Sequence, residues 1–177
     1  MFNSEIKLYG KHANYVKFLA AKGAELNKNN KNAGVFNRYI DVYIAGAILG
    51  IVKRVKAPID KTDNIEATLF TDAVIKEQLK LKFLYRLAII LDDPSVPPDE
   101  IADRAFRYDD DVEKVKQGME LFNAYVRGGI EWLYEAFTDR ALAQEDYMDK
   151  IHDIVREFAE NYYGVDTTDE FLAEGNE

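Results

Sequence analysis

Apolar residues step through Val112, Val115, Met119, Phe122, Val126, Ile130, Leu133 and Phe137 at intervals of three and four, a repeat sustained for about seven turns of α-helix. A strand would put alternate residues on opposite faces, so this spacing demands one long helix or two nearly collinear ones. Gly128 and Gly129 interrupt the run. Each glycine costs about 1 kcal/mol against alanine in a helix interior, so a bend or a close helix crossing is expected there.

The same periodicity recurs elsewhere. Residues Gly10 to Leu26 carry Ala13, Val16, Leu19 and Ala20 at helical steps, with lysines at 11, 17 and 22 between them. The polar run Asn27 to Asn32 that follows is rich in residues that favour turns and reads as a loop. From Val35 to Val55 apolar side chains nearly encircle the helix, the mark of a central element. On it, Gly46 and Gly50 lie four apart and offer another backbone a close approach. Ala57-Pro58 ends it. A second core helix is predicted over Thr71 to Leu91, with Val74, Ile75, Leu79, Leu81, Phe83, Leu84, Leu87, Ala88, Ile90 and Leu91 around much of its circumference. A short helix from Pro97-Pro98 to about Phe106 and a last one from Glu145 to Tyr163 complete a set of six, five of them substantial. No strand pattern or internal repeat stands out, so the expectation is an all-α, single-domain helical bundle over residues 1–164, followed by an acidic mobile tail at 165–177.

Composition narrows the class. Of 177 residues, 47% are hydrophobic and 12% aromatic, which supplies the large side chains a disordered chain lacks. Without cysteine there is no disulfide framework, thiolate metal site or cysteine nucleophile. The opening residues MFNSEIKLYGKH do not read as a signal peptide, and the most apolar stretch, Ile40 to Val52, is too short to span a bilayer. The expected location is the cytoplasm, with no membrane association.

Charge is segregated along the chain. Residues 1–56 balance at plus 7 and the remainder at minus 16, for a net charge of −9. One reading is a basic binding face built from Lys11, Lys17, Lys22, Lys28, Lys31, Arg38, Lys53 and Arg54, joined by Lys56, that meets nucleic-acid phosphates or an acidic partner. The plainer reading sets the basic N-terminal helix against the acidic C-terminal half of the same molecule or of a second copy.

Candidate chemistry is sparse. His12 stands among lysines and reads as a surface histidine. Asp149 and His152, three apart on the last helix, resemble half of a carboxylate-bridged metal site. No second acid-x-x-His pair exists, so an exposed ion pair is the simpler account. Asp92-Asp93 and Asp109-Asp110-Asp111 sit where helices end and begin, where capping and the helix dipole explain them without a metal. Trp132, near Tyr125 and Tyr134, is either an interface anchor or core filling. Arg38 and Asp41, with Arg86 on the other apolar helix, either pair or line a polar groove. No catalytic residue, metal or cofactor is expected.

The segment Val35 to Ile51, with Arg38, Tyr39, Asp41 and Gly50 on a hydrophobic helix, resembles small helical accessory proteins of bacterial DNA-modification and anti-phage gene clusters. That resemblance implies an accessory subunit working inside a larger complex near DNA. The functional expectation is a non-enzymatic adaptor or assembly subunit that binds a protein partner or a second copy of itself. The alternative is a nucleic-acid-binding accessory protein using the basic N-terminal helix and the Lys/Asn loop.

Overall fold

Ile6, Leu8, Ala67 and Leu69 share one face of a short antiparallel ribbon in the computed structural model, which describes residues 1–20, 34–138 and 144–163. The ribbon pairs β1 (Ile6–Tyr9) with β2 (Glu66–Leu69) in the register Ile6 to Leu69 and Leu8 to Ala67. Leu8, Ala67 and Leu69 are buried on its inner face, while Lys7 on the outer face donates to Glu66 at 3.2 Å. The expectation of an all-α fold is therefore corrected. The chain is 69% helix with seven helices among the described residues, and it carries this two-stranded sheet as well.

The chain divides into two units, Met1–Glu135 and Ala136–Glu177. In the first, β1 leads into α1 (Gly10–Leu19) through Gly10, whose φ of +57° suits a residue without a side chain. Asp60 accepts the Lys11 amide at 2.7 Å and ties the loop before β2 to the first turn of α1. Three hydrogen bonds to that carboxylate, from the Lys11 and Thr62 amides and the Thr62 hydroxyl, hold it down at about 2. The helix ends at Leu19, where Ala20 forms a bridge with Phe36 and the Phe36 amide donates to Leu19 at 3.0 Å. Residues 21–33, with the expected Asn27 to Asn32 loop, lie outside the described residues.

That bridge also explains why the central helix, α2 (Tyr39–Lys53), begins four residues later than the pattern predicts. Phe36 is drawn into the pairing and Arg38 stays extended as the residue before the helix. At the other end Arg54 turns left-handed at φ +55°, and the Val55 amide closes on Gly50 at 2.9 Å. The predicted 71–91 helix is two: α3 (Thr71–Lys76) and α4 (Gln78–Asp92), with Glu77 as the joint. The side-chain Nε2 of Gln78 donates back to the carbonyls of Met1 and Phe2 at 3.0 and 3.2 Å. Then come α5 (Pro98–Phe106) and α6 (Val112–Thr138). Oδ1 of Asp111 accepts the amides of Glu113 and Lys114 at 3.1 Å each, the capping role expected of the aspartate run.

The core of this unit has two parts. Where α2 crosses α6, glycines meet backbone: a side chain on Gly50 would strike the Tyr125 carbonyl, one on Gly129 the Gly46 carbonyl, and one on Gly128 the Val55 carbonyl. One on Gly46 would lie 2.7 Å from Ile130 and 2.9 Å from the Val126 carbonyl. The glycines at 128 and 129 thus serve the close crossing, one of the two outcomes their sequence suggests. Beside it, Phe122 of α6 is met edge-on by Phe2, Tyr43 and Tyr85, with ring centroids 5.8, 6.0 and 6.1 Å away.

In the second unit α7 (Gln144–Tyr163) follows the predicted 145–163 span. Arg156 pairs with Asp153 at 2.9 Å along it. The tail at 165–177 lies outside the described residues.

Candidate functional surface

The basic residues read from the sequence are dispersed over different partners. Lys11 donates to Glu131 at 2.7 Å, which raises the pKa of the ammonium. Arg38 forks onto Asp41 at 3.0 and 2.5 Å and reaches Glu77 at 3.0 Å. Lys53 stands over the half-buried Trp132 ring at 4.9 Å from its centre. Lys56 pairs with Asp92 at 2.7 Å. Lys17 is half-buried and Arg54 is exposed at the end of α2, while Lys22, Lys28 and Lys31 lie outside the described residues. Arg38 and Asp41 thus pair with each other, and Arg86 turns instead to Asp109 at 3.3 Å.

His12 corrects the sequence reading outright. It is fully buried, not a surface residue, because α1 places it on the same side as Val16 and Leu19. Its Nε2 lies 2.8 Å from Glu131, and its Nδ1 is buried with no hydrogen-bond partner. A carboxylate accepts only, so Nε2 carries the proton in the neutral ring and Nδ1 is a bare acceptor. Adding a proton at Nδ1 would bury an unsatisfied donor, at about 1–3 kcal/mol. Burial accordingly lowers the His12 pKa, against the opposing pull of Glu131.

The sign of the linkage follows. Unfolded His12 titrates near 6.5 and folded His12 below it, so neither form is charged well above that value and folding incurs no penalty. As pH drops through about 6.5 the unfolded chain takes up the proton first. Stability falls until the pH has passed the lowered folded value. Urea-unfolding midpoints taken from about pH 7.5 to about pH 5 should therefore fall more steeply for the wild type than for His12→Gln. Parallel curves would remove this role for His12.

The acidic groups are engaged in structure. Asp92 accepts from the Tyr125 hydroxyl at 2.7 Å; burial, aided by that carboxylate, pushes the hydroxyl up to about 12, and Asp93 accepts from the Ser95 amide and hydroxyl at 2.9 and 2.6 Å. In the second unit Asp149 and His152 are both exposed, and no ion pair joins them among the described residues. This replaces the expected pair. No group of three or more His, Asp or Glu side chains among the described residues is placed to hold a metal ion.

One surface in the first unit stands apart. Along α3 and α4, Ile75, Leu79 and Phe83 recur every four residues and lie 51%, 84% and 64% exposed. Phe70, the extended residue before α3, is 64% exposed, and Ile90 continues the row in the last turn of α4. The opposite side of α4 holds Leu81, Leu84, Tyr85, Ala88 and Ile89, all buried. Single exposed apolar residues are ordinary, but Leu79, Phe83 and Ile90 gathered on one face of α4, with Ile75 of α3 before them, mark a surface that another molecule covers.

Sequence reading places these residues in the core, as part of a helix apolar around much of its girth. The available signal is the surplus. Five buried positions suffice to seat α4, and at 100° per residue Leu79, Phe83 and Ile90 fall together within about 40° on the far side.

Comparisons of the chain with protein-family models, with curated proteins and with solved structures give no match. No helix among the described residues is long and apolar enough to cross a membrane.

Proposed function

We propose that the chain is a non-enzymatic helical adaptor or assembly subunit that binds a protein partner through the exposed face of α3 and α4. The observation that carries this reading is the row Ile75, Leu79 and Phe83, three large apolar side chains half or more in solvent at helical spacing. Fully burying an exposed side chain of this kind is worth about 1.5–3 kcal/mol, so covering Leu79 recovers most of that and covering Ile75 about half, a reservoir that folding of the monomer leaves unused. Rows at i, i+4 and i+8 are how one helix packs on another. A subunit of a larger complex is also what the resemblance of the 35–51 segment implies. Nucleic-acid binding draws less support, because Lys11 and Arg38 already pair with carboxylates on this chain.

A photo-crosslinking amino acid placed at Phe83 in cells of the native host tests the reading, with the same group at exposed Asn14 as control. A discrete adduct is expected from position 83, absent from position 14, and lost when Leu79→Asp is added. Leu79 is almost wholly exposed, so that change should alter stability by no more than about 0.5 kcal/mol. An adduct pattern at position 83 indifferent to Leu79→Asp would overturn the proposal.

A further inference from the structure

The apolar row on α3 and α4 has cationic edges. With Leu79 and Phe83 at its centre, a helical projection puts Lys82 about 80° to one side and Lys80 about 80° to the other. Residues 71–91 carry Lys76, Lys80, Lys82 and Arg86 against Asp72 and Glu77, a local balance of plus 2 on a chain of net −9. Of the two acids, Glu77 is already held by Lys80 at 2.8 Å and Arg38 at 3.0 Å, and its pKa is lowered accordingly. Lys76 and Lys82 have no ion-pair partner among the described residues. Arg86 is committed elsewhere, paired with Asp109 and lying 5.1 Å over the Phe106 ring.

From this we infer that the occupant of the face is an amphipathic helix of an acidic partner protein, whose apolar ridge covers Ile75, Leu79 and Phe83 and whose flanking Asp and Glu meet Lys76 and Lys82. The inference rests on the docking reading above and adds the partner's chemistry. Within α4 the row from Leu79 to Ile90 is about 16 Å long at 1.5 Å per residue, the length of a partner helix of some eleven residues.

Two other occupants fit less well. A second copy docking the same face about a two-fold axis near Phe83 would bring Lys80 beside Arg86 and lysine edge against lysine edge, and like charges in register repel. An anionic membrane would attract the four bases locally. It would also face a broad side of a molecule with net charge −9, whereas a single docked helix feels chiefly what lies within a Debye length of about 8 Å.

The test is selection of displayed peptides, each a randomised twenty-residue segment, on the full chain and in parallel on Phe83→Asp. Enriched sequences should carry apolar residues at i, i+4 and i+7 or i+8 with an excess of Asp and Glu between them. Their affinity for Phe83→Asp should be about 30-fold lower or worse, the loss typical of a central anchor. It should fall several-fold for the double variant Lys76→Glu/Lys82→Glu, and less at high salt. Phe83-dependent peptides that are neutral or basic would overturn the acidic partner while leaving the docking face intact. Enrichment that ignores Phe83 would overturn the face itself. Sedimentation with vesicles of about one-third anionic lipid completes the test: Phe83-dependent binding there would assign the face to a membrane, and its absence is the result expected.

Discussion

Gly50→Ala is expected to destabilise the protein severely, although alanine is the better helix former by about 1 kcal/mol. The added methyl group would land on the Tyr125 carbonyl oxygen, with the Tyr125 carbonyl carbon 2.6 Å away. Neither is the free end of a side chain that can swing aside. The helices themselves must part, and Tyr43, Ile51 and Val126, all buried beside the crossing, would lose their packing together. Overpacking typically costs about 1–3 kcal/mol, and an obstruction by backbone belongs at or above the top of that range. Gly129 presents the reverse contact, against the Gly46 carbonyl, so Gly50→Ala/Gly129→Ala should leave little cooperative unfolding. Far-UV circular dichroism and urea unfolding of Gly50→Ala, Gly129→Ala and the double variant check this. The sign is decisive, since propensity alone makes each substitution stabilising and the crossing makes each destabilising. Unfolding midpoints equal to or above the wild type would mean that α2 and α6 do not approach as closely as described.

That crossing was foreshadowed in the amino-acid order, because two glycines four apart on an apolar helix and two adjacent ones in a long amphipathic helix are both costly unless something passes close. The ribbon was not. Ile6-Lys7-Leu8-Tyr9 and Glu66-Ala67-Thr68-Leu69 each show only two cycles of alternation, too few to distinguish from chance, and they pair across nearly sixty residues of intervening chain. The joint at Glu77 was hidden for a different reason. Hydrophobic period reports which faces are apolar and is blind to a single residue at φ −100° between two helical stretches.

The candidate surface shows the limit most directly. Leu79 and Leu81 are the same residue type two positions apart, yet one is 84% exposed and the other wholly buried. A one-dimensional pattern assigns both to the core, since only the packing of α4 decides which of its apolar sides is spare. His12 failed in the opposite direction. Lysine at position 11 suggested solvent, but His12 falls four residues before Val16 and seven before Leu19, an inward stripe on its helix. Its partner, Glu131, is 119 residues away and could not be read from local spacing.

Phe122→Ala is expected to cost about 3–5 kcal/mol, because this ring is the point where four segments are joined. Phe2 from the N-terminus, Tyr43 from α2 and Tyr85 from α4 each meet it edge-on, at interplanar angles of 81°, 70° and 69°. None of the rings is free to refill the space. Tyr43 is tethered by its hydroxyl, which donates to Asn123 at 2.6 Å, and Phe2 is held by the Gln78 side-chain amide on its carbonyl. Tyr85 is limited by Gly118, the one residue small enough to admit its hydroxyl. A cavity that cannot collapse keeps its full cost, so alanine should sit at the upper end of the range and Phe122→Leu well below it. For a chain of this length the alanine variant should melt about 6–20 °C lower. Thermal unfolding followed by near-UV circular dichroism reads both the shift and the tyrosine environment. A melting loss under about 3 °C for alanine would mean that the four rings repack independently, and the cluster would then no longer explain how the N-terminus, α2, α4 and α6 are held as one core.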